Sequence, residues 1–92
     1  MNAIWKFEIE ITDEVEILMP KNANVLTVQM QGTKPFIWAE VDTREVVKEM
    51  RYFTVVGTGH IRNDLDGCIY IGTFQMHDGT LVFHLYEKTI KG

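Results

Sequence analysis

Short runs in which every second residue is apolar constrain this chain more than any other feature. Trp5, Phe7, Ile9 and Ile11 alternate with Lys6, Glu8 and Glu10. Successive side chains of an extended backbone point to opposite faces, so this pattern buries one face and wets the other, as a β-strand does. The same period returns in Val15, Ile17 and Met19 against Glu14, Glu16 and Leu18, and in Leu26, Val28 and Met30 against Thr27, Gln29 and Gln31. Turn-forming residues separate the runs: Thr12-Asp13, Pro20-Lys21-Asn22-Ala23-Asn24, Gly32-Thr33-Lys34-Pro35 and Asp78-Gly79. Proline presets φ, while Asn, Asp and Gly accept the positive φ that tight turns demand.

Four further strands are predicted at Phe36–Val41, Arg51–Val56, Cys68–Met76 and Thr80–Glu87. The segment Val46–Met50 reads equally as one helical turn or as a ragged lead into the next strand. About seven short antiparallel strands at this spacing define a mainly β fold, a compact sandwich or small barrel with at most one short helix. The first two strands read as a hairpin, acidic on its outer face. Asp78-Gly79 is the strongest hairpin signal in the chain. Strands four, six and seven are apolar at both parities, as in Phe36 and Trp38 against Ile37, Ala39 and Val41. A strand buried on both sides needs cover from its own domain or from another protomer, so a homo-oligomer is expected.

With 92 residues, 46% of them apolar and 24% charged, the chain is long enough for one domain, residues 1–92, and too apolar for disorder. The 9 basic and 13 acidic side chains give a net charge of −4, without the basic footprint of a duplex nucleic-acid binder. Residues 1–46 hold the whole acidic excess, while residues 47–92 are balanced, which directs any anion site to the second half. A single cysteine, Cys68, excludes an internal disulfide and a cysteine-based zinc cluster. The first residues lack the basic start and apolar run of a signal peptide, and no run is long enough to span a bilayer, so a cytoplasmic placement is expected.

The longest irregular stretch, Gly57 to Gly67, opens with Gly57-Thr58-Gly59-His60. Glycines let a backbone approach a ligand, successive amides can cradle an anion, and His60 and Arg62 would add charge-assisted hydrogen bonds. The stretch lacks the lysine of a phosphate-binding loop and the third glycine of a dinucleotide fingerprint. A plain turn at a sheet edge explains the same glycines. Trp38 shares a strand face with Glu40, an arrangement suited to stacking on a planar ligand, to an interface anchor or to ordinary core filling. Arg51, just before strand five, would reach the same region. His84 reads as a hydrogen-bonded structural imidazole and His77 as solvated, and the histidine spacing names no metal site. Serine is absent, Cys68 begins an apolar strand, and Asp64 and Asp66 read as turn residues, so no catalytic group, metal or cofactor is assigned.

Ile4-Trp5-Lys6-Phe7, Met19-Pro20, Val28-Gln29, Trp38-Ala39-Glu40-Val41-Asp42, Gly57-Thr58-Gly59-His60, Tyr70-Ile71-Gly72-Thr73-Phe74 and Leu81-Val82-Phe83-His84 occur in this order. Together they make the chain similar to a family of small uncharacterised proteins carried by phages, prophages and bacteria, a domain of unknown function. The resemblance covers nearly the whole chain and transfers no activity. It implies an accessory protein acting inside a bacterial host cell, where small non-catalytic phage proteins block a host effector or sequester a nucleotide-derived signal. The expectation is a non-enzymatic protein holding a small phosphorylated ligand at a subunit interface through Trp38, Arg51, Gly57, Thr58, Gly59, His60 and Arg62. The alternative is a protein-binding module, an inhibitor of a host defence protein, working through Glu8, Glu10, Glu14 and Glu16.

Overall fold

In a computed structural model, which describes residues 1–89, alternation becomes seven strands: β1 (Asn2–Glu8), β2 (Val15–Pro20), β3 (Asn24–Gln31), β4 (Lys34–Asp42), β5 (Lys48–Gly57), β6 (Ile69–Met76) and β7 (Leu81–Glu87). They form an all-β sandwich of two sheets, a front sheet ordered β1-β4-β3 and a back sheet ordered β2-β5-β7-β6. Every pairing is antiparallel, neither sheet closes into a barrel, and no helix occurs among the described residues. Val46-Val47 is an irregular lead into β5, and residues 90–92 of the expected domain lie outside the described residues.

The core forms between the inner faces. Val28, Ile37 and Val41 from the front sheet meet Val15, Met19, Phe53, Val55, Phe74 and Leu85 from the back sheet, and Ile9 and Ala23 from connections close the ends. Full burial of a side chain such as Phe53 or Leu85 contributes about 2–3 kcal/mol, which makes this layer the main source of stability. The sheets approach most closely where β3 faces β6. There Gly72 lies so near Val28 that an added Cβ would stand 3.0 Å from Val28 Cγ1. A register irregularity between Tyr70 and Gly72 accompanies this approach, as bulges do where a strand bends.

The expected hairpin of the first two strands does not form. β1 pairs with β4 and β2 with β5, so consecutive strands lie in different sheets. The link from Ile9 to Glu14 crosses between the layers and leaves Ile9 buried. Each strand has one apolar face, and both are covered when the two strands sit on opposite sides of the core. The β3–β4 and β6–β7 hairpins do form. The second turn is centred one residue earlier than the Asp78-Gly79 signal: His77 and Asp78 carry φ of 55° and 56°, and Gly79 donates to the Met76 carbonyl at 3.2 Å.

Two-sided apolarity marks interior strands. β4 lies between β1 and β3, and β7 between β5 and β6, whereas β6 is an edge whose outward Tyr70 is exposed. β5 and β6 run in the same direction with β7 between them, so their connection must return across the sheet. The strap from Thr58 to Cys68 does so over the outer face, and beneath it Thr54 is fully buried although it alternates away from the core residues Phe53 and Val55.

Candidate functional site

The strap brings Gly57, Thr58, Gly59, His60 and Arg62 to one side of the back sheet, and most of their polar groups are bonded within the chain. His60 donates its amide to the Gly57 carbonyl at 3.1 Å, and Gly59 has φ of 85°. This is the pattern of a type II β-turn, whose third position needs a positive φ. Thr58 donates its amide to the Val82 carbonyl at 3.1 Å, so that amide is already satisfied. The His60 ring sits over Gly57, where a Cβ would meet it at 2.9 Å.

Arg62 has all five of its N–H donors engaged. Nε and Nη2 grip the Asp64 carboxylate at 3.0 and 2.8 Å, Nη2 also donates to Thr54 Oγ1 at 2.8 Å, and Nη1 donates to the Val55 carbonyl at 3.3 Å and to Asp13 at 3.4 Å. The hydrogen bond from Arg62 holds the Asp64 carboxyl below its ordinary 3.8, and the same bond raises the guanidinium. A phosphate at Arg62 would have to displace these partners.

His84 completes a directed chain on the same outer face. Thr58 Oγ1 lies 3.2 Å from the Val82 carbonyl, which can only accept, so Thr58 donates there and accepts from His84 Nε2 at 2.7 Å. His84 Nδ1 then accepts from the Thr73 hydroxyl at 2.9 Å, and Thr73 accepts from Tyr70. Both imidazole nitrogens are satisfied in the neutral Nε2–H tautomer, and the ring ties the strap to β7 and β6.

Arg51 stands elsewhere. Its side chain, 18% exposed, grips Glu87 with an Nη2–Oε1 distance of 3.0 Å and donates from Nη1 to the Ala23 carbonyl at 2.7 Å. That hydrogen bond to Glu87 raises the guanidinium, which pins the β2–β3 connection to the rim of the back sheet. The four glutamates also disperse: Glu8 lies on β1 beside Lys34 at 3.7 Å, Glu16 on β2 in the other sheet, and Glu10 and Glu14 in the connection between them. Cys68 is a free thiol whose Sγ reaches the Asp64 carbonyl at 3.4 Å, and no cluster suited to a metal occurs among the described residues.

Trp38 belongs to neither group. Ile37, Ala39 and Val41 of β4 are buried, so Phe36, Trp38 and Glu40 face outward from the front sheet, away from the strap. Pairing places Lys6 of β1 opposite Trp38 on one side and Thr27 of β3 on the other, with Gln29 opposite Phe36. The Lys6 ammonium stands 4.7 Å from the Phe36 ring centre and 5.9 Å from that of Trp38, and donates to the Gln31 side chain. Phe36 and Trp38 are tilted against each other with centroids 6.2 Å apart. Trp38 Nε1 is buried and has no hydrogen-bond partner, the one such side-chain atom among the described residues. An orphaned buried donor costs roughly 1–3 kcal/mol, so it marks a place where an acceptor would be welcome. Lys6 and its partner Gln31 were missed beside Trp38 because they come from β1 and β3, two strands distant in sequence from β4.

The wide cleft of the chain, about 460 Å³, lies instead between the two hairpin turns, lined by Met30, Thr33, Gln75, Met76, His77 and Asp78. It gathers no lysine or arginine.

With this geometry in view, the family can be stated. The chain belongs to a domain family of unknown function, DUF7352, which matches residues 1–91. No curated protein and no solved structure matches it.

Proposed function

We propose that this chain is a non-catalytic binding protein whose contact face is the outer surface of the front sheet, and that it holds a small planar anion such as a nucleotide-derived phosphate. The observation that carries this reading is the unpartnered Nε1–H of Trp38 beside an aromatic pair and a lysine. A planar base would stack on the face of Trp38, an oxygen elsewhere on the same ligand would approach Nε1 in the indole plane, and Lys6 would meet the phosphate. Stacking of a base on an aromatic side chain is worth about 1–3 kcal/mol, enough to orient a ligand that one cation alone would not hold.

This reading keeps Trp38 from the sequence-based expectation and shifts the cation from Arg51 and Arg62 to Lys6. The change follows from donor counts: Arg62 is saturated, Arg51 is held by Glu87 and Ala23, and Lys6 has ammonium hydrogens to spare beyond its bond to Gln31. The residues around Trp38 include no paired acid and base, which suits retention of a ligand without turnover. A role in sequestering a host signal within a phage-infected cell fits such a face.

Calorimetric titration with adenosine monophosphate and with a cyclic dinucleotide tests the assignment. Trp38→Phe, which keeps a ring and deletes the donor, and Lys6→Met should each weaken binding at least tenfold, while Arg62→Lys leaves it unchanged. Equal affinity in the Trp38 and Lys6 variants, with loss at Arg62, would return the site to the strap.

A further inference from the structure

Among the described residues, four strands have a free edge: β1 and β3 in the front sheet, β2 and β6 in the back sheet. An unpaired edge is a template for another strand, and proteins blunt it with bulges, prolines or short length. β3 carries a register irregularity between Val25 and Thr27, β6 carries one between Tyr70 and Gly72, and β2 has six residues ending in Pro20. β1 has neither a bulge nor a proline, and its edge charges are one lysine and one glutamate, Lys6 and Glu8. It pairs with β4 without interruption from Asn2 to Glu8.

The backbone direction at that edge can be read from its ends. Ile9 donates its amide to the Pro35 carbonyl, and the Met1 carbonyl accepts from Thr43, so odd-numbered residues turn their polar groups toward β4. Asn2, Ile4, Lys6 and Glu8 therefore present their N–H and C=O groups to the open side. Two side chains of this strand are exposed more than their character suits, Ile4 at 54% and Trp5 at 39%.

We infer that β1 pairs antiparallel with β1 of a second copy of this chain about a two-fold axis at Trp5, joining the two front sheets into one. An antiparallel pair must oppose residues that both face the open edge, which leaves axes at Ile4, Trp5, Lys6 or Phe7, and an axis at Ile4 leaves Glu8 without a partner. An axis at Lys6 sets two ammonium groups directly opposite each other. An axis at Phe7 needs Ile9, which is buried at 3% exposure. The Trp5 axis uses the whole strand. It sets Asn2 against Glu8 of the other copy, Ile4 against the aliphatic stem of Lys6, Ala3 against Phe7, and Trp5 against itself, with no like charges directly apposed. This arrangement forms about eight backbone hydrogen bonds and an aromatic pair at the close-spaced position.

The pairing stands without the ligand reading above and extends it. On the joined outer face, Lys6 of the two copies lies diagonally across the axis at roughly 7–8 Å, each beside its own Trp38. A bridging anion would draw on both.

Sedimentation velocity on the full chain, with circular dichroism as the check on folding, decides the matter. The unmodified chain should sediment as a dimer at micromolar concentration. Ile4→Pro removes an N–H that points away from β4 and should weaken the dimer about thirtyfold by deleting one hydrogen bond from each copy. Trp5→Lys and Trp5→Glu should each be monomeric, and mixing the two should restore a dimer. A chain that stays monomeric up to about 100 μM, or a dimer that survives both the proline and the Trp5 charges, overturns the inference.

Discussion

Arg62 shows how much one side chain can decide. It sits 15% exposed in the strap, and its fork ties together Asp64, Thr54, the Val55 carbonyl and Asp13. Arg62→Lys keeps the charge and loses the fork, so it should lower stability by about 1–3 kcal/mol in urea unfolding. The strap amides should then exchange faster than those of the core strands. Asp64 gives this tie a pH dependence. Its folded carboxyl titrates below the ordinary 3.8, so the unfolded chain binds more protons between the two values. The stabilisation is complete above that ordinary value and fades as pH falls through the folded one. Unfolding at pH 3 and pH 6 should show a smaller pH difference for Asp64→Asn than for the unmodified chain. In the sequence Arg62 reads as an anion-binding cation, because its main partner Asp64, two positions on, reads as a turn residue, and Asp13, 49 positions away, has no local signal.

Among the elements, β6 and β3 set the spacing of the sandwich. Gly72→Ala would place a methyl 3.0 Å from Val28 Cγ1, and Val28 is 1% exposed with no room to retreat. Overpacking of this kind costs about 1–3 kcal/mol. Gly72→Ala should therefore lower the unfolding midpoint, and adding Val28→Ala should recover part of the loss instead of compounding it. Simple addition of the two costs would contradict the contact. The strands themselves were legible, because alternation is a local signal: all seven were placed from period and turn residues. Their partners were not. β1 and β2 follow one another, yet Trp5 pairs with Ala39 and Val15 with Phe53, and a period-two pattern is satisfied by any covered face. For the same reason Trp38 was placed on the strand face of Glu40, with core filling left open, while Lys6, its neighbour through the β1–β4 register, was not joined to it.

At the scale of the whole molecule, the two outer faces divide the work. The back face is covered by a strap whose glycines turn the chain, whose arginine holds it down, and which His84 of β7 ties in through Thr58. The front face is open and carries an aromatic pair, a lysine and a buried donor without an acceptor, and among the described residues its edge at β1 is free of bulge and proline. No helix among the described residues is long and apolar enough to cross a membrane. The acidic balance of the chain leaves room for a local cation only where the fold concentrates one, and on the front face that cation is Lys6. If β1 edges pair, the contact face doubles, and ligand affinity should fall together with dimerisation in Ile4→Pro while Trp38 and Lys6 remain intact. Nuclear magnetic resonance of the amide and indole groups during titration with adenosine monophosphate tests the central claim most directly. The Trp38 indole N–H should shift downfield with saturation, together with the amides of Lys6 and Gln31, while those of Thr58 to Arg62 stay in place. Shifts confined to the Thr58–Arg62 strap, with the Trp38 indole unmoved, would contradict a ligand face on the front sheet.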